Sequence, residues 1–120
     1  MLMGDTDVKV LHASKTETAS FTGAAVDVSG DVNPGKGNML FLLDCGAATG
    51  TLDAKIQQSD DGATGWADVT GAAFTTINAA PGTQIISAYV GKRYIRVLTT
   101  AASSPNHTYG VYALGVKRLA

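Results

Sequence analysis

The sequence predicts an all-β fold, an antiparallel β-sandwich of about eight strands. Three observations predict it. Helical periodicity is missing almost throughout, and the apolar runs are short and rich in Val, Ile, Thr, Tyr and Phe. Gly, Asn, Asp or Pro interrupts those runs roughly every eight to twelve residues, the rhythm of a sandwich or barrel.

Taken in order, strands are expected at 8–12, 19–28, 39–44, 52–59, 66–69, 84–89, 94–100 and 108–117. The stretch Leu52-Asp53-Ala54-Lys55-Ile56-Gln57 alternates cleanly, with Leu52, Ala54 and Ile56 inward and Asp53, Lys55 and Gln57 outward. Met39-Leu40-Phe41-Leu42-Leu43 is apolar on both faces. That pattern suits a central strand covered on both sides, or a strand with one face against a partner. Residues 72–79 have the length of a short helical turn, but Thr75, Thr76 and Ile77 are β-branched, so a loop is expected. Residues 33–38, 46–50, 79–82 and 101–106 are turn chemistry, with Gly free to take positive φ and Pro fixing φ. The pattern fits a jelly roll or an immunoglobulin-like sandwich over residues 1–120, one domain, with residues 1–7 as a flexible N-terminal arm.

Composition narrows the function classes. Only 16% of the 120 residues are charged, against roughly 25% in an average globular chain. Net charge is −1, and a nearly neutral surface favours association. Nine Lys and Arg against ten Asp and Glu leave no excess for wrapping phosphate, so no nucleic-acid partner is expected. Cys45 is the one cysteine, which rules out an intramolecular disulfide framework. The opening MLMGDTDVKV has neither a basic n-region nor an apolar h-region, so synthesis in the cytosol is expected. No apolar stretch approaches the ~20 residues of a membrane helix, and no membrane partner is expected.

No constellation points to catalysis, and no enzyme activity or cofactor is expected. His12 and His107 are the only imidazoles, and no motif ties either to Cys45 or to a serine. Both read as surface or edge residues, His12 ending a strand and His107 in the turn Pro105-Asn106-His107. Cys45 reads as a small buried apolar group, since no cation neighbours it in sequence. Two His and one Cys far apart give no zinc spacing. Asp60-Asp61-Gly62 starts like a calcium loop, yet the twelfth residue from Asp60 is Gly71 where that loop needs Glu. Pro34-Gly35-Lys36-Gly37 is not a phosphate-binding loop. Lys92, Arg93 and Arg96 form a small basic group able to meet a partner's carboxylates.

The stretch Ser59-Asp60-Asp61-Gly62-Ala63-Thr64-Gly65-Trp66 gathers a serine, two carboxylates and the only tryptophan. It resembles the Asp-box turn S-x-D-x-G-x-T-W: Ser59, Asp61 and Trp66 fall in place, while Gly62 and Thr64 stand one position early. The motif occurs once, so a propeller is excluded. It reads as a hairpin connection held by Ser and Asp side chains. Strict alternation turns Trp66 away from Ala67 and Val69, making it a partner anchor. A bulge at Gly65 would instead turn it into the core, and that is the expected arrangement.

Several segments together resemble a known family. They are Met39-Leu40-Phe41-Leu42-Leu43, Gly50-Thr51-Leu52-Asp53-Ala54-Lys55-Ile56-Gln57-Gln58-Ser59-Asp60-Asp61-Gly62, Trp66-Ala67-Asp68-Val69, Lys92-Arg93-Tyr94-Ile95-Arg96-Val97 and residues 109–114. The pattern is similar to small structural proteins of tailed bacteriophages, the capsid decoration (cement) proteins of jelly-roll type. It covers residues 38–117. The resemblance implies a virion protein on the capsid exterior that binds the major capsid protein and stabilises contacts between its subunits. It also implies a homodimer or homotrimer on a symmetry axis. The partner-binding residues expected are Trp66, Arg93 and Arg96, with Asn33 and Lys36 in one loop and Met1, Leu2 and Met3 in the arm. The alternative is a carbohydrate- or receptor-binding β-sandwich from a tail fibre or appendage, suggested by an R-Y-I-R strand like that of discoidin-type jelly rolls. The paired cysteines that close many discoidin domains are missing.

Overall fold

A computed structural model describes residues 6–28 and 37–116. The described residues form β1 (Thr6–Glu17), β2 (Phe21–Thr22), β3 (Val26–Asp27), β4 (Gly37–Ser59), β5 (Ala67–Ala73), β6 (Ile77–Asn78), β7 (Gly82–Val90) and β8 (Tyr94–Val116). All their pairings are antiparallel, and no helix occurs among the described residues. The all-β antiparallel class expected from the sequence is the one observed.

Strands β4 and β8 dominate, with 23 residues each. A straight strand of that length would span about 75 Å, yet the longest dimension of the molecule is 48 Å. Both strands therefore bend. The bend is visible in their register, which slips between Cys45 and Ala47 and again between Thr49 and Thr51. At the second slip Thr49 faces Asn106 while Thr51 faces Ala102, so residues 103–105 bulge out of the ladder opposite Gly50. Gly50 takes a φ of 75°, and Ser103 and Ser104 take 64° and 56°. Extra residues in positive φ are what a sharp bend in a paired ladder requires.

The bend folds one hydrogen-bonded network into two facing halves. The first half runs β1, the later part of β8, the early part of β4, then β7. The second half sets β2 and β3 beside the early part of β8, which pairs with the later part of β4, which carries β5 and β6. Alternation sends Met39, Phe41 and Leu43 inward from the first half, and Leu52, Ala54 and Ile56 inward from the second. Val111 and Ala113 face Ile95 and Val97 from the two parts of β8, and one continuous apolar cluster fills the space between.

Three expectations change. Residues 46–50 and 101–106 are not free turns: their turn chemistry supplies the bend, and the ladder runs through them. The strand expected at 19–28 is two short pairings, β2 and β3, split around Gly23. An added Cβ on Gly23 would sit 3.0 Å from the Val97 carbonyl oxygen, so the chain passes close to β8 there. The loop expected at 72–79 includes the end of β5 and the two-residue β6, because Ile77 finds a buried place opposite Leu52.

The histidines are corrected as well. His12 lies within β1 and His107 within β8, and both side chains are buried. His12 stacks on Tyr109 with ring centroids 4.2 Å apart, and its Nε2 lies 2.8 Å from the Glu17 carboxylate. Inward-facing strand positions impose this burial, since residues 107, 109 and 111 share one face of β8. Cys45 is buried as expected, and burial raises its thiol pKa.

Candidate functional site

The two outer faces of the fold differ in chemistry, and each offers a candidate surface. On the second half, the outward positions of β4 from Thr51 to Gln57 are polar, and β8 adds Arg96 and Thr100 with Leu98 between them. Gln57 stands opposite Arg96 on one side and Asp68 on the other. Arg96 donates to Gln57 Oε1 from Nε at 3.0 Å and from Nη2 at 2.8 Å. Gln57 Nε2 donates to Asp68 at 3.1 Å, and Lys55 Nζ donates to the other Asp68 oxygen at 3.1 Å. These bonds, Gln57 first, hold the Asp68 carboxyl below its ordinary pKa.

Trp66 completes this row. The Arg96 guanidinium lies 4.2 Å from its ring centroid, a cation–π contact. Trp66 is half-buried and outside the core cluster, so the inward bulge expected from sequence is not what Gly65 produces. Gly65 has a φ of 67°, and it turns the indole onto the outer surface, face down on Arg96. Five side chains, from Lys55 through Asp68, Gln57 and Arg96 to Trp66, thus form one continuous chain of contacts.

The turn that delivers Trp66 is built from the acidic stretch. Ser59 is fully buried; its Oγ donates to the Thr64 carbonyl and accepts from the Gly62 N–H at 3.1 Å. The exposed Asp61 accepts from the N–H groups of Thr64 at 2.8 Å and Ala63 at 2.9 Å, and from the Thr64 hydroxyl. Those donors hold the Asp61 carboxyl far below the usual carboxylate range, with the Thr64 N–H contributing most. Gly62 sits over the Tyr94 ring, where an added Cβ would stand 3.1 Å away. All of Asp61's described bonds serve this turn.

Lys92, Arg93 and Arg96, grouped in the sequence, are each engaged with a different partner within the chain. Arg93 donates to Asp27 at 2.9 Å and Lys92 to Asp60 at 3.2 Å. Both pairs are exposed enough for solvent to screen them. Arg93 lies in the bend just before β8, and its bonds to Asp27 are separate from those of Arg96 to Gln57. Met1, Leu2, Met3, Asn33 and Lys36 lie outside the described residues. Beside the Trp66 row is an open cleft of about 270 Å³, lined by Asp53, Lys55, Phe74, Leu98 and Thr100. Asp53 in that cleft accepts from the Thr76 hydroxyl.

The outer face of the first half is apolar. Its strand order places Val8 beside Leu114, Leu40 and Ser87, and places Val10 beside Tyr112, Leu42 and Ile85. Val8, Val10, Leu40, Ile85 and Tyr89 are 45–66% exposed. Tyr112 lies along the sheet over Gly110, where any Cβ would collide with its ring. Sequence reasoning anticipated the outward apolar side of β4 but missed the contributions of β1 and β7. The signal for β7 was present in Ile85-Ile86, apolar at two successive positions. For β1 the Val8-Lys9-Val10 alternation gives the right period while suggesting that the valines face the core.

The sequence matches no protein-family model and no curated protein. Similar folds occur among solved structures. The PBSX exported protein XepA aligns with a TM-score of 0.63 at 17% identity, over 95% of this chain and 38% of that one. This chain therefore spans little more than a third of XepA's length. The SPBc2 prophage-derived protein YomS aligns at 0.56 with 10% identity, over 94% of this chain and 96% of that one. A protein of the Bacillus endospore appendages, which form disulfide-linked pili, aligns at 0.52 with 13% identity, over 99% and 93%. At these identities the likeness establishes a shared fold, common to an exported protein, a prophage-derived protein and a protein of endospore appendages.

Proposed function

We propose that this chain is a structural protein of a tailed-phage particle, one that binds the outer surface of the capsid and stabilises contacts between major capsid subunits. The observation that carries the reading is the Trp66 row. A half-buried Trp laid on an Arg that is itself fixed by a glutamine is a preorganised protein-binding surface, and Trp and Arg are the residue types enriched at interface hot spots. Its side chains are held before a partner arrives, so little rotamer entropy remains to be lost on docking. The fold shared with the prophage-derived protein YomS supports a phage setting, and repetition over a closed shell multiplies modest contacts into tight attachment.

Trp66 is also the chain's only tryptophan, so its fluorescence reports on the surface directly. Titrating capsid shells of the encoding phage into the protein should shield Trp66 from acrylamide quenching. In co-sedimentation, Trp66→Ala should weaken binding at least tenfold, as loss of a hot spot of ~2 kcal/mol implies. Its circular dichroism should match wild type. Absence of the protein from purified particles, or shell binding by Trp66→Ala equal to wild type, would overturn the reading.

A further inference from the structure

We infer that the apolar outer face of the first half is covered by the same face of a second copy of this chain, making a two-fold dimer. The face spans four strands, and its two rows, from Val8 to Ser87 and from Val10 to Ile85, contain no charged residue. The exposed apolar area is on the order of 500 Å², near the upper end of the largest patch a soluble monomer usually shows. A standard interface takes about 800 Å² from each partner. The patch supplies the dry centre of such an interface, and the exposed Asn38, Asp44 and Thr83 at its borders supply the rim.

Three features favour a second copy as the occupant. Strand β7 alternates the exposed Ile85 and Tyr89 with the small Ser87 between them. A two-fold axis parallel to the face lets projections of one copy enter the gaps of the other, and each contact then occurs twice. Tyr112, lying flat over Gly110, keeps the centre level enough for two sheets to stack at the usual ~10 Å spacing. A net charge of −1 leaves little repulsion between copies. A face this apolar also invites aggregation unless covered soon after synthesis, and another copy is the partner always present in matching amount.

This face lies on the opposite side of the molecule from the Trp66 row, so the inference stands or falls without reference to capsids. Light scattering on the purified full chain, at about 50 µM, should give twice the 12.3 kDa chain mass. Ile85→Lys and Ser87→Arg, both at exposed positions, should each raise the dimer dissociation constant at least 100-fold, because each brings charge into a desolvated centre. Their circular dichroism and melting curves should remain those of a folded β protein. Thr100→Lys, exposed on the other half, should remain dimeric. A wild-type mass of one chain at that concentration would overturn the inference. So would an assembly that persists undiminished in an Ile85→Lys, Ser87→Arg double variant.

Discussion

Asp61 and His107 show how differently two polar side chains can sit in one fold. Asp61 is exposed and fully bonded, its carboxylate gathering the N–H groups that the turn before Trp66 would otherwise leave open. Its folded-state pKa lies below the ordinary 3.8. Its stabilising contribution is therefore complete above that value and fades as pH falls below it toward the folded pKa. Asp61→Asn should lower the urea midpoint at pH ~6, and the gap to wild type should narrow progressively below pH ~4. A gap that stays constant down to pH ~2.5 would show that the charge plays no part. His107 is the reverse case: fully buried, with no protein partner on either ring nitrogen. An unpaired buried polar group costs stability, and an apolar group of similar size does not. His107→Leu should accordingly raise stability by ~1 kcal/mol, measured by urea titration. The roles of Ser59 and Asp61 were legible in the sequence because turn bonding is local. The direction of Trp66 was not, since its resting place is Arg96, thirty positions along the chain and fixed by Gln57 on a third strand.

At the scale of the strands, the long ladder between β4 and β8 depends on how it bends. Gly50 is the tightest point: an added Cβ would stand 2.5 Å from the Ala102 carbonyl oxygen and 2.6 Å from that of Ser103. Gly71 shares the positive φ, at 80° against 75°, but has open space around it. Gly71→Ala should therefore cost only the conformational term, about 1 kcal/mol. Gly50→Ala should cost more, on the order of 3 kcal/mol, because backbone must also move. Equal losses in denaturant titrations would mean that the bend can relax. Composition rules marked residues 46–50 and 101–106 as turns, and within them Gly50, Ser103 and Ser104 do take positive φ. What those rules cannot convey is that the two segments lie opposite each other, since pairing between residues some fifty positions apart is a tertiary fact. The same limit explains β1. Alternation in Val8-Lys9-Val10 has the period of a strand, but which side faces the core depends on its register with Tyr112 and Leu114. The apolar run at 39–43 was more informative, because a strand apolar on both sides needs two covers and the fold supplies only the inner one.

Across the whole molecule, the two outer faces divide the work proposed for the chain, Trp66 and Arg96 toward a capsid and the Val10–Ile85 row toward a second copy. The pairing of β1 with the end of β8 adds a mechanical consequence. Thr6 lies directly opposite Val116, so the first and last described residues form one rung. A pull on the two chain ends would open that ladder one rung at a time, like a zipper, meeting little resistance at any moment. A load drawn along β4 and β8 from opposite ends of either half, by contrast, must strain that half's rungs together before any gives way. Leu40 with Leu114 marks one end of that ladder and Ser59 with Tyr94 the other. On the proposed reading, a shell under pressure would load the chain through its outer faces, along the plane of the sheets where this topology is strong.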